Sequence, residues 1–121
     1  MKTARLVLLA TAVCVALVLP NCSPVNTSTF SNGTYHGTVG QVLVISGDSY
    51  DYTYTSTTFS GTYEINGSVV IFTTTKINGT LTGLEQSTTF DFTSTSSTIS
   101  LSNMRNQVSG GCGMADDTFT K

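Results

Sequence analysis

Few residues in this chain have the chemistry for catalysis. A Ser or Cys nucleophile needs a base beside it, and the sequence holds one histidine, His36. There is no Gly-x-Ser-x-Gly elbow, and neither a second His nor a Cys-x-x-Cys pair that would hold zinc. His36, between Tyr35 and Gly37, reads as a surface or satisfied histidine. Glu64 and Asp51 fall on the outer faces of predicted strands, where solvated carboxylates are the default. Asp116 and Asp117 are adjacent in a Gly-rich stretch, but two carboxylates are few for calcium. The expectation is a non-enzyme with no cofactor and no metal.

The residue with the clearest chemical prospect is Cys22. Lys2 and Arg5 open the chain, and residues 6–19 then carry no charge. That run is shorter than the ~20 residues of a spanning helix, and it fits the apolar core of a secretory signal. Cys22 follows directly, with a polar stretch after it. Leu19 three residues before Cys22 resembles a bacterial lipoprotein signal, in the relaxed form with Asn before the Cys that spirochaetes use. The resemblance implies cleavage after residue 21, lipidation of Cys22, and a bacterial cell-envelope location at the outer membrane, with the membrane as partner through the anchor. The same cysteine has a rival use. Cys14 leaves with the signal, so Cys22 and Cys112 remain, and in a secreted protein such a pair often forms a disulfide. Five Asn-x-Ser/Thr triplets occur, at Asn21, Asn26, Asn32, Asn66 and Asn78, and three of them are Asn-Gly pairs better explained as turns.

The elements that would position these groups are strands. Of 121 residues, 23 are Thr and 15 are Ser, while charged residues make up 10%. Such a composition disfavours long helices. The net charge of −2, with no basic run, excludes nucleic acid as a partner. Residues 42–45 and 50–55 flank Gly47-Asp48, which predicts a hairpin pairing Ile45 with Tyr50 and Leu43 with Tyr52. A second hairpin is expected through Asn66-Gly67, setting Tyr63 opposite Val70 and Gly61 opposite Phe72. A third is expected at Asn78-Gly79, with a bulge or bend at Gly83. Residues 88–93 and 98–102 alternate Phe90, Phe92, Ile99 and Leu101 with hydroxyls.

The sum is an all-β fold, a small antiparallel up-and-down meander of seven or eight strands forming a barrel or sandwich. The expected organisation is a signal peptide over 1–21, a lipid-anchored linker over 22–32, the β domain over 33–102 and a flexible tail over 103–121. Gly33-Thr34-Tyr35 before the first strand resembles the opening of short lipocalin-like meanders, with Tyr35 where those families carry Trp. That resemblance implies a carrier of a small apolar ligand, lined by Tyr50, Tyr52, Tyr54, Tyr63, Phe72, Phe90 and Phe92. The same aromatics equally read as the filling of a small core. Three functional classes follow: an envelope-anchored structural or interaction domain, an apolar-ligand carrier, and an inhibitor that meets a protein partner, an extracellular enzyme, through its turns.

Overall fold

β-Branched and aromatic residues alternating with small hydroxyls set the strands, and tight turns set their pairing. The computed structural model describes residues 29–121. Its strands are β1 (Gly33–His36), β2 (Val42–Ser46), β3 (Ser49–Tyr54), β4 (Thr57–Asn66), β5 (Val69–Ile77), β6 (Thr80–Ser94), β7 (Thr98–Val108) and β8 (Asp117–Thr120). Each pairs antiparallel with the next, and β8 returns to β1, so the sheet closes into a barrel. The described residues contain no helix. The all-β meander is therefore a barrel, not a sandwich.

Two of the three expected hairpins form in the expected register. Ile45 pairs with Tyr50 and Leu43 with Tyr52 across Gly47-Asp48. Ile77 pairs with Thr80, and the turn residues Asn78 and Gly79 have φ of 51° and 82°. Positive φ at both central positions is the type I′ pattern that matches strand twist. The second hairpin differs. Asn66 pairs with Val69, Ile65 with Val70 and Tyr63 with Phe72, so the loop is Gly67-Ser68. Only Gly67, at 64°, has positive φ there, which is the type II′ pattern with glycine first. The register slips by two residues, and a slip of two keeps every side chain on its own face. Tyr63, Val70 and Phe72 accordingly stay buried.

The wall bends at bulges. Leu81 pairs with Lys76 and Gln86 with Thr74, which leaves residues 82–85 facing Thr75 alone. Gly83, at φ 78°, lies inside that excursion, where its isolated glycine predicted a bend. β7 takes in two extra residues. Asp91 pairs with Ser102, Thr89 with Arg105 and Ser87 with Val108, and Asn103 and Asn106 absorb the insertions at φ 54°.

Those bulges correct the expected tail. Residues 103–108 continue β7, and residues 117–120 are the strand that closes the barrel. Two bulges break the period-two pattern, so the strand could not be read past Asn103. Phe119 is 1% exposed and anchors β8, while Val108 points to solvent. The expected linker is corrected at its far end as well, because Phe30 is 4% exposed in the core. Residues 1–28, with the expected signal and Cys22, lie outside the described residues.

Candidate functional site

The meander gives the barrel two ends. The base holds Phe30 and the turns β2–β3, β4–β5 and β6–β7; the rim holds the other turns and the β7–β8 loop. The predicted ligand-lining aromatics occupy the space between. Tyr50, Tyr52, Tyr63, Phe72 and Phe90 are buried, and Phe92 is half-buried against the same core. Tyr54 is not among them, being 44% exposed. It belongs to the last pair before the β3–β4 turn, with Thr57, beyond the packed interior.

These rings fill the barrel by packing on one another. Phe72 meets Tyr50 edge-on at 5.1 Å and Phe90 at 6.0 Å between centroids. Phe30 plugs the base, stacked on Tyr63 at 5.0 Å and edge-on to Phe92 at 5.2 Å. Both T-shaped and stacked pairs are favourable aromatic geometries. The Tyr63 hydroxyl donates to the Gly47 carbonyl and accepts the Phe30 N–H at 2.9 Å, which fixes the plug. Tyr35 is also buried and donates to the Ser31 carbonyl at 2.6 Å.

A hydroxyl chain closes the rim. Cys112, fully buried, donates its N–H to Thr88 Oγ1 at 2.8 Å. Thr74 Oγ1 donates to the Cys112 carbonyl at 3.3 Å and lies 2.5 Å from the Tyr50 hydroxyl. A threonine hydroxyl has one proton, so Tyr50 is the donor of that last bond. Burial raises the Tyr50 phenol strongly. Burial likewise pushes the Cys112 thiol up. The thiol forms no disulfide among the described residues. Sequence reasoning missed Thr74 and Thr88, although both sit at inward parity within threonine runs.

Four aspartates, Asp51, Asp91, Asp116 and Asp117, bond to neighbouring elements. Asp116 accepts the N–H groups of Asn103 at 3.2 Å and Met104 at 3.0 Å. Asp117 accepts Gln41 Nε2 at 2.7 Å and Thr38 Oγ1 at 2.9 Å, tying β8 to the β1–β2 loop. Burial pushes the Asp117 carboxyl up, but bonds from Thr38, Thr118 and Gln41 outweigh it and hold it low. Asp91 pairs with Arg105 at 2.9 Å, and bonds from Asn103 and Arg105 lower its carboxyl. Asp51 and Glu64 lie on the outer face as expected, Asp51 accepting Ser60 Oγ at 2.6 Å. His36 is exposed at the end of β1. Among the described residues no three His, Cys, Asp or Glu side chains gather as a metal site.

The two described grooves open on the outside. One of about 310 Å³ lies across β2 to β5, between Val44, Asp51, Thr62 and Lys76. The other, about 270 Å³, lies beside the 82–85 excursion, where Leu81 and Leu84 are 72% and 69% exposed. Neither was visible in the strand pattern, since both follow from the register breaks around Thr75. No protein-family model matches the chain, and no characterised protein or solved structure shows significant similarity to it.

Proposed function

We propose that the chain is an exported, lipid-anchored β-barrel module with a structural or interaction role at the bacterial cell envelope, most naturally the outer membrane. The observation that carries this reading is Cys22 closing the uncharged run of residues 6–21, with Leu19 three residues before it. A diacylated or triacylated Cys22 meets the two-chain condition for stable anchoring. Residues 23–28 then lead to Thr29 at the base of the barrel. Six residues reach about 20 Å when extended, so the anchor holds the base toward the bilayer. The rim, with Leu81 and Leu84 beside it, faces outward to a protein partner.

A carrier role has less support, because the aromatic set packs on itself where a ligand would sit. The Cys22–Cys112 disulfide of a secreted protein would need access to a fully buried sulfur. Replacing Cys22 by Ser in the full-length chain and fractionating a bacterial host tests the proposal. The wild type is expected in the detergent phase with labelled fatty acid attached, and C22S unprocessed or soluble. Identical soluble behaviour of both would overturn it.

A further inference from the structure

The chain contains three exposed Asn-Gly pairs, at Asn32, Asn66 and Asn78, and the fold treats them differently. Asn-Gly is the sequence in which the backbone N–H of the second residue most easily attacks the side-chain amide of the first. Glycine has no side chain to obstruct the approach. We infer that Asn66 is a spontaneous modification site, converting to aspartate and isoaspartate, and that the fold protects Asn32 and Asn78.

The two protected side chains are held. Asn32 Oδ1 accepts the Gly47 N–H at 2.8 Å, locking it against the β2–β3 turn. Asn78 Oδ1 accepts the Thr58 N–H at 2.8 Å, and the Asn78 N–H donates to the Thr58 carbonyl at 2.8 Å. Each amide must lose its bond before its carbon can turn toward the glycine nitrogen. The Asn66 side chain makes no hydrogen bond with the described residues, and neither does the Gly67 N–H outside the ladder. A Cβ built on Gly67 would meet nothing within 4 Å, so the space over the turn is open. The electrophile is free to rotate and the nucleophile is free to reach it.

The reaction balances with water alone. The deprotonated Gly67 nitrogen bonds to the Asn66 side-chain carbon, the carbon–nitrogen bond of the amide breaks, and ammonia leaves with the proton. Water then opens the cyclic imide at either carbonyl. One opening restores the normal backbone as aspartate; the other routes the chain through the former side chain as isoaspartate. The first adds a negative charge two residues from Glu64 on the same face of β4. The second adds a methylene to the backbone at the final ladder pair, Asn66 with Val69.

The test incubates the full chain in mildly alkaline heavy-oxygen water and reads each Asn by residue-resolved mass spectrometry, folded and in denaturant. In the folded protein Asn66 is expected to convert faster than Asn32 and Asn78 by about fivefold or more, the factor one net hydrogen bond is worth. In denaturant the three rates should converge, because the protecting bonds are gone. Equal rates in the folded protein, or Asn78 or Asn32 leading, would overturn the inference. So would a selectivity for Asn66 that persists unchanged in denaturant, since it would then owe nothing to the fold.

Discussion

Thr88, fully buried at the rim, spends its hydroxyl on Cys112. It accepts the buried Cys112 N–H, and replacing it with the near-isosteric Val would leave that donor unpaired. T88V is therefore expected to lower stability by about 1–3 kcal/mol in urea titration, while T88S, which keeps the oxygen, loses less. Equal losses for the two would mean that packing, not the bond, matters there. Asp117 makes a second prediction at this scale. Its carboxyl is held below the ordinary value of 3.8 in the folded chain, so the folded state binds fewer protons than the unfolded one. Its stabilisation is complete above that value and is lost as pH falls through the lower folded value. The melting temperature should fall over that acidic range, and less steeply in D117N. Asp91 is lowered too, so the D117N curve keeps a residual slope. In the sequence Asp116 and Asp117 stood out only as a charged pair. Their partners, Asn103, Met104, Thr38 and Gln41, come from other elements, and no local pattern could reveal them.

At the scale of elements, glycines do two unlike jobs. Gly67 supplies a positive φ in open space, whereas Gly61 supplies closeness: a Cβ there would lie 1.8 Å from the Thr73 carbonyl oxygen. G61A must push β4 and β5 apart where their register already shifts, between Ser60 and Gly61. We expect it to cost about 3 kcal/mol or more, at or above the top of the ~1–3 kcal/mol typical of overpacking. G67V should cost about 1 kcal/mol, the ordinary penalty of a β-branched residue at positive φ. A smaller loss for G61A than for G67V in chemical denaturation would mean the strands separate easily at that bulge. Element identity was legible wherever turn chemistry and alternation agreed, as at Gly47-Asp48 and Asn78-Gly79. The Asn66-Gly67 turn was legible only to within two residues, because Gly67-Ser68 offers a second turn that twists the strands equally well. β7 was lost past Asn103 because alternation cannot survive two one-residue insertions. Of the seven aromatics expected to line a cavity, six turn into the core and Tyr54 does not, since parity tells the face but not where the barrel stops.

The whole molecule depends on pieces that a strand count leaves out. β1 and β8 share one register pair, Thr120 with His36, so closure rests on what surrounds that seam. Phe119 packs inside, Asp117 grips the β1–β2 loop, and the Lys121 N–H donates to the Ser97 carbonyl at 2.9 Å. Phe30 fills the base, and Cys112 with Met114 fills the rim. A fragment of residues 33–102, the span that alternation alone would delimit, lacks all of these. It would open the core at both ends and leave β1 and the shortened β7 as unpaired edges, a ready template for aggregation. Phe30 and Phe119 alone, if truncated to Ala, are each expected to cost about 3–5 kcal/mol, a large share of a small domain's total stability. The fragment 33–102 should therefore be unfolded or aggregated, while 29–121 should unfold in one cooperative transition. Circular dichroism melting and size-exclusion chromatography of the two distinguish the outcomes. A monomeric 33–102 fragment that melts cooperatively near the temperature of 29–121 would show that the seven-strand wall carries the stability alone. Two plugs and a closing strand would then be ornaments on a fold that does not need them.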